Sequence, residues 1–143
     1  MAKNKYRYFN LYYWLRKLSF TNLFQKNFFL SNNLKRKIIF NLIFKSYHWR
    51  DYHKTNKRVS DSGLGSDLNV TKQLIKDLDI FLKSDQIKSI LDIACGDFFW
   101  MNKLINNNKH LNYLGLEIVE SIVENNNKIF SNQKIKFICS DVI

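Results

Sequence analysis

Hydrophobic and polar residues alternate with two different periods in the second half of the chain. Apolar residues between positions 68 and 83 share one face of a helix, and Ser66 and Asp67 precede them as candidate N-caps. Short apolar runs and further helical patterns then follow in turn. The runs read as strands at 87–94, 112–118 and 135–140, and the helical patterns lie at 97–106 and 119–130.

This order of helix, β, α, β, α, β predicts an α/β fold with a parallel sheet of three strands. The first strand is mostly apolar, which predicts that it is buried on both faces. Right-handed crossovers would place the strands side by side in sequence order.

The first 58 residues differ in character from the rest. Apolar spacing predicts helices at 6–18 and, more clearly, at 34–47. A polar stretch at 50–66 follows, and its Ser-Gly-Leu-Gly-Ser segment at 62–66 indicates a turn. We therefore divide the chain into an N-terminal helical arm at 1–58 and an α/β domain at 59–143.

Charge follows the same division. The arm carries 14 Lys and Arg and one acid, Asp51, whereas residues 59–143 carry 9 basic and 11 acidic residues. The arm also holds most of the aromatic side chains, so it would suit an anionic membrane surface or a nucleic acid. Only 5 of the basic residues are Arg, which argues against nucleic acid, and a helical cap on the domain is the simplest reading.

Several classes of protein are excluded by composition. The two cysteines, Cys95 and Cys139, cannot form a disulfide scaffold, and the histidines lack metal-ligand spacing, so we expect no metal. The apolar runs are too short to span a membrane, and no signal peptide is evident. These features predict a protein of the reducing cytoplasm.

Three acids recur at nearly equal intervals along the α/β domain. Asp92 lies near the end of the first strand, Glu117 near the end of the second, and Asp141 just after the third. The carboxyl ends of parallel strands meet at the ligand-binding edge of such a sheet, so we expect the acids to gather there. Glu117 also follows the glycine turn by about 20 residues, where a carboxylate typically accepts hydrogen bonds from a ribose.

The turn after the first strand helps to choose between two nucleotide cofactors. Gly96 permits close approach of a ligand, but a dinucleotide would favour a denser glycine pattern, and Asp97 would repel its pyrophosphate. S-adenosylmethionine has no phosphate, and its cationic groups could face Asp92 and Asp97, while backbone N–H groups take its carboxylate. Charge therefore favours S-adenosylmethionine over NAD.

The same turn carries a family resemblance. Residues 91–101, Leu-Asp-Ile-Ala-Cys-Gly-Asp-Phe-Phe-Trp-Met, resemble the first motif of class I S-adenosylmethionine-dependent methyltransferases, and in particular a bacterial subgroup with Cys-Gly-Asp-Phe-x-Trp-Met. The segments at Trp49 and 62–66 resemble that subgroup's preceding elements. Ala94 and Phe98 occupy positions where the general motif has Gly, and Leu64 replaces the usual Pro.

The resemblance implies a Rossmann-like fold and a set of cofactor-binding residues. Asp92, Gly96 and Asp97 would hold the methionine end of the cofactor, Glu117 the ribose and Asp141 the adenine. Ala94, Ile118 and Val142 would complete the binding site from adjoining positions. The resemblance names no catalytic residue in this sequence.

The resemblance also implies that strands are missing. Methyltransferases of this class have seven strands, and this chain ends after the third, so we expect the N-terminal, cofactor-binding half of a truncated domain. The methyl acceptor is left open among a small molecule, a sugar and a lipid-linked glycan. The alternative is an inactive fragment that acts as a membrane-surface or nucleic-acid binding module through its basic arm.

Overall fold

A computed structural model describes residues 31–45, 60–84 and 86–142 of the 143-residue chain. These residues form four α-helices, one short 3-10 helix and three strands. In chain order the elements are α1 (Asn32–Lys45), the 3-10 helix (Leu64–Ser66), α2 (Leu68–Ser84), β1 (Ser89–Ile93), α3 (Met101–Asn107), β2 (Asn112–Glu117), α4 (Glu120–Phe130) and β3 (Ile135–Cys139).

The three strands form one parallel sheet in the order β1-β2-β3. Asp92 pairs with Gly115, and Gly115 pairs in turn with Phe137, so the strands are nearly in step across the sheet. The predicted α/β class, the strand order and the parallel direction are confirmed. The in-step register brings the carboxyl ends of all three strands to one edge.

One face of the sheet is closely packed. Tyr113 of β2 and Phe137 of β3 point into it and meet the Phe98 ring, with centroid distances of 4.7 and 5.1 Å to that ring. Buried residues of α3 and α4, including Leu104 and Val123, complete this core. The aromatic contacts fix the sheet against its helices and so hold the strand ends in place.

The opposite face of the sheet departs from expectation. Leu91 and Ile93 of β1 are more than half exposed, and Ile138 of β3 is half exposed. The prediction that β1 is buried on both faces is therefore wrong for the described residues. The apolar run reflects side chains of both faces, of which only one meets the core.

The two boundaries on either side of the turn after β1 shift for a backbone reason. The strand predicted at 87–94 ends at Ile93, because Ala94 has a φ of 63° and leaves the extended region. The helix predicted from Asp97 begins only at Met101, because Phe98 has a φ of 58°, which a right-handed helix excludes. Residues 94–100 therefore form a longer turn than the sequence pattern predicts.

The clearer of the two predicted arm helices is present as α1. The helix predicted at 6–18 and the segment around Trp49 lie outside the described residues. Among the helices that are described, none combines the length and the apolar character needed to cross a membrane.

Candidate functional site

A pocket of about 270 Å³ opens at the carboxyl edge of the sheet. Three chain segments that follow β1, β2 and β3 line it, and α1 closes one side. These segments contribute Ala94 and Gly96 after β1, residues 116–118 at the end of β2, and residues 140–142 after β3. Crevices at this edge of a parallel sheet are where such folds bind ligands.

Glu117, the last residue of β2, is fixed at the base of this pocket. Its Oε1 atom accepts hydrogen bonds from the N–H groups of Ile118 and Val119 at 2.8 and 3.0 Å. Its Oε2 atom accepts one from the N–H of Gly96 at 3.1 Å. A carboxylate offers about four acceptor positions, so these three donors leave room for a further hydrogen bond from a ligand. The side chain is thus held rigidly while it still faces the pocket.

Asp141 lies beside the pocket and pairs with the arm. The guanidinium of Arg36 in α1 donates from Nε to Oδ2 at 2.9 Å, and its Nη2 atom forms an ion pair with the same oxygen at 2.8 Å. Both residues line the pocket, so its walls combine two carboxylates, those of Glu117 and Asp141, with a cation. Nothing in the sequence pattern predicted this contact, which spans 105 positions.

The remaining wall of the pocket is mainly apolar. Its apolar residues are Leu116 of β2, Ile118 between β2 and α4, Ile122 of α4, Val142 after β3 and Phe40 of α1. Apolar walls with a few polar groups at fixed positions are typical of pockets for cofactors and other small molecules. The walls would suit a flat, weakly polar ring.

Asp97 lies in the turn but is turned towards the Ser-Gly-Leu-Gly-Ser segment. Its carboxylate accepts hydrogen bonds from the hydroxyl groups of Ser60 and Ser62 at 3.0 and 3.1 Å, and from the N–H of Asp61 at 2.6 Å. Asp97 in turn donates its own N–H to Ser62 Oγ at 2.8 Å. The side chain therefore holds the preceding segment against the turn and is not among the residues that line the pocket.

Gly96 is held where the chain has no room for a side chain. It has a φ of 56°, and a Cβ atom placed there would lie 2.2 Å from Ser62 Oγ. The Nδ2 atom of Asn126, a buried residue of α4, donates to the Gly96 carbonyl at 2.8 Å. The positive φ and the close approach of Ser62 favour glycine at this position.

The N–H groups of residues 95–99 all donate to acceptors within the protein. Besides the bonds of Gly96 and Asp97, Cys95 donates to the Leu116 carbonyl, Phe98 to the Cys95 carbonyl and Phe99 to Asp97 Oδ1. This is a departure from the expectation that N–H groups of the turn would bind an anionic part of the ligand. The turn shapes the pocket without offering these donors to a phosphate or carboxylate.

Asp92 lies on the packed face of β1, beneath the pocket edge. The Tyr113 hydroxyl donates to its Oδ2 atom at 2.7 Å. Burial raises the pKa of the Asp92 carboxyl, and the hydrogen bond from Tyr113 opposes this effect in part. Burial and the nearby Asp92 charge also raise the pKa of Tyr113, which therefore stays a neutral donor.

Cys95 is unsuited to nucleophilic chemistry. Burial, with the charges of Asp92 and Glu117, raises the pKa of its thiol to about 12. A thiol with so high a pKa carries almost no thiolate at neutral pH. Cys95 is thus a small buried residue of the turn.

The structure brings together six of the eight residues that the sequence singled out for the cofactor. Ala94, Gly96, Glu117, Ile118, Asp141 and Val142 line one pocket, whereas Asp92 and Asp97 are absent from its lining. Sequence reasoning missed Arg36, Phe40 and the pocket-lining role of Ser62. Within the described residues no group of three or more His, Cys, Asp or Glu is placed to hold a metal ion.

Comparisons with known proteins found solved structures of low sequence identity. No protein-family model and no curated protein sequence matches this chain. Among solved structures, the magnesium protoporphyrin IX methyltransferase of Synechocystis PCC 6803 with bound S-adenosylmethionine is similar, with 17% identity over 81% of this chain and a TM-score of 0.49. The plantazolicin methyltransferase BpumL in complex with S-adenosylhomocysteine has 19% identity over 78% and a TM-score of 0.42. The matches cover 57% and 44% of those two chains.

Proposed function

We propose that this chain is the cofactor-binding half of an S-adenosylmethionine-dependent methyltransferase. The observation that carries the proposal is the Glu117 carboxylate, which three backbone N–H groups hold at the base of a pocket that Asp141 also lines. Two carboxylates at neighbouring strand ends suit a nucleoside with a ribose diol and an amino group, both of which donate hydrogen bonds.

The pocket chemistry fits the ribose and the adenine of this cofactor in different ways. Glu117 would accept a hydrogen bond from the ribose, and Asp141 would accept one from the adenine amino group. Ile118, Ile122 and Val142 would pack against the adenine ring, since all three line the same pocket. Asp92 and Asp97 would act as positioning residues, because their carboxylates already bind Tyr113 and the segment at 60–62.

A phosphate-bearing dinucleotide suits this site less well. Pyrophosphate binding at such a turn relies on backbone N–H groups that point at the ligand. Here the N–H groups of residues 95–99 are engaged within the protein, that of Gly96 by Glu117 itself. The carboxylate of Glu117 would also repel a phosphate, whereas that of Asp141 is paired with Arg36.

When bound, this cofactor supplies an electrophilic methyl carbon, which bonds to a lone pair of the acceptor as the carbon–sulfur bond breaks and its electrons stay on sulfur. The described residues contribute binding and orientation. Glu117 fixes the ribose position, and the apolar wall excludes water from one side of the ligand. Correct placement of this kind is a large part of catalysis when the leaving group is already activated.

The acceptor is proposed by class only, as a small molecule, a sugar or a lipid-linked glycan. The neutral thiol of Cys95 and the neutral hydroxyl of Tyr113 are unsuited to take a proton from it. A general base, where one is needed, would come from residues other than these two.

Calorimetric titration of the whole chain with S-adenosylmethionine and S-adenosylhomocysteine tests the proposal. Saturable binding is expected for both, with none for NAD. Glu117→Ala should abolish detectable binding, because it removes the ribose acceptor. Glu120→Ala is a matched control, since Glu120 lies three residues on and is exposed on α4. It should bind as the wild type does.

Circular dichroism of each variant must accompany the titration, because Glu117 also holds the turn through Gly96. Asp141→Asn provides a second test that leaves Glu117 intact, and it should weaken binding without abolishing it. A folded wild-type chain that binds neither ligand would overturn the proposal. Equal binding of NAD and S-adenosylmethionine would overturn the choice of cofactor.

A further inference from the structure

The arm helix α1 meets the pocket through very few contacts. None of its 14 residues is buried, and its apolar residues Leu34, Ile38 and Leu42 are each about 40% exposed. An isolated helix of this length is marginal in water. Within the described residues, the individual side chains that join α1 to the α/β domain therefore contribute to its position.

Among the described residues, two ion pairs join α1 to the domain, and they differ in kind. Arg36 contacts Asp141 through two nitrogen atoms, a hydrogen bond from Nε and an ion pair from Nη2, and their side chains are only 26% and 15% exposed. Lys37 binds Glu120 through a single contact of 3.5 Å, and their side chains are 42% and 62% exposed. Multiply bonded, partly buried Arg–carboxylate pairs are much stronger than exposed Lys–carboxylate pairs.

The stronger pair lies at the pocket. Arg36 and Asp141 both line it, and Phe40, one helical turn after Arg36, lines it as well. The Nη2 atom of Arg36 also donates to Asn33 Oδ1 at 2.7 Å, which orients the guanidinium from within α1. The ion pair thus holds one side of the pocket wall in place.

We propose that the Arg36–Asp141 ion pair is a clamp that positions α1 as a wall of the cofactor pocket. Arg36 and Phe40 are then specificity-determining residues for ligand binding, although they belong to the arm. A ligand that packs against Phe40 stabilises α1, and the clamp strengthens ligand binding by the same factor, since such coupling is reciprocal. This inference rests on the proposed function.

Titration with S-adenosylhomocysteine tests the wall. Arg36→Met should weaken binding about tenfold, the loss expected for a charged hydrogen bond at the lower end of its range. Lys37→Met removes the neighbouring positive charge and should change binding less than about twofold, because its pair is exposed. Phe40→Ala should weaken binding while it leaves the clamp intact.

Hydrogen exchange of the α1 amides tests the clamp without a ligand. Asp141→Asn and Arg36→Met should each speed exchange at residues 36–45, whereas Lys37→Met should not. Added S-adenosylhomocysteine should slow exchange at these amides in the wild type, and less in Arg36→Met. If exchange were unchanged in both Asp141→Asn and Arg36→Met, the proposal that this ion pair holds α1 in position would be overturned.

The two sets of measurements separate this inference from the proposed function. Suppose that the wild type binds the ligand, that Glu117→Ala does not, and that Arg36→Met and Phe40→Ala both bind normally. The proposed role of α1 as a pocket wall is then overturned, while the proposed function stands. If the folded wild type binds no ligand, the proposed function and the ligand-dependent wall are both overturned. The exchange data then still decide whether Arg36 and Asp141 hold α1.

Discussion

The two faces of the parallel sheet are built from neighbouring residues yet have opposite environments. Phe137 of β3 is 5% exposed and packs against the rings of Phe98 and Tyr113, whereas the next residue, Ile138, is 50% exposed. Leu91 and Ile93 of β1 share the open face. The strand ends that form the pocket are therefore fixed by one packed face, and the other face contributes apolar surface that has no comparable core among the described residues.

Among the substitutions that test this contrast, Phe137→Ala should have the largest effect on stability. Removal of a buried aromatic side chain typically costs about 3–5 kcal/mol of stability, because apolar burial is lost and a cavity remains. The free energy of unfolding, measured by urea denaturation, should fall by an amount in this range. A core that no longer packs in one arrangement would broaden the transition, and near-ultraviolet circular dichroism would detect it.

Ile138→Thr is the matched control on the open face of the same strand. It keeps a β-branched side chain in β3 and removes apolar surface that is already half exposed, so it should cost about 1 kcal/mol or less. It should also lower the binding of a hydrophobic dye such as ANS. Equal losses of stability for the two variants would contradict the contrast between the faces.

A similar contrast between enclosed and open positions recurs in the turn after β1. Gly96 and Ala94 both have positive φ angles, but Gly96 is buried against Ser62, and Ala94 is exposed. Gly96→Ala should destabilise the protein by about 1–3 kcal/mol, because the new Cβ adds a steric clash to the backbone strain. The midpoint of urea unfolding should fall accordingly.

Ala94→Gly should change stability in the opposite direction. Glycine adopts a positive φ without strain, and this gain exceeds its greater loss of chain entropy on folding, so we expect a stabilisation of about 0.5–1 kcal/mol. A destabilised Ala94→Gly variant would show that its methyl group makes a contact that outweighs the strain. Unfolding midpoints of the two variants, measured side by side, decide the point.

Local patterns in the sequence were sufficient to predict the sheet and part of the site. Alternation of helical and strand periods predicted β1, β2 and β3, and the spacing of acids predicted that Glu117 and Asp141 meet at one edge. Both depend on chain geometry that repeats from one strand–helix unit to the next. The resemblance to methyltransferases predicted Ile118 and Val142 because they adjoin those acids.

Other features depend on contacts between distant segments, which no local pattern reveals. Arg36 reaches Asp141 across 105 positions, and Asp97 is turned towards Ser60 and Ser62 by hydrogen bonds that span 35 to 37 positions. The strand-end position of Asp92 suggested the pocket edge, but Asp92 pairs with Gly115, two residues before Glu117, and its carboxylate binds the Tyr113 hydroxyl within the packed face. The exposure of Leu91 could not be inferred either, because an apolar run does not show which face is covered.

The smallest expected effect on stability comes from Asp92, whose carboxyl group lies on the packed face of β1. Burial raises its pKa in the folded protein, so the folded state binds a proton more tightly than the unfolded state does. The stability that this proton contributes is fully present below the unfolded pKa and is lost as the pH rises through the folded pKa. Asp92→Asn cannot ionise, so this loss should be absent.

Urea unfolding of the wild type, Asp92→Asn and Tyr113→Phe from about pH 4 to about pH 8 measures the effect. Relative to the wild type, Asp92→Asn should gain stability as the pH rises. Tyr113→Phe removes the hydrogen bond that opposes the raised pKa of Asp92, so its stability should fall over a pH range that extends higher than in the wild type. If the three profiles were parallel, Asp92 would behave as a solvated carboxylate, and the packed face would be more open at β1 than at β3.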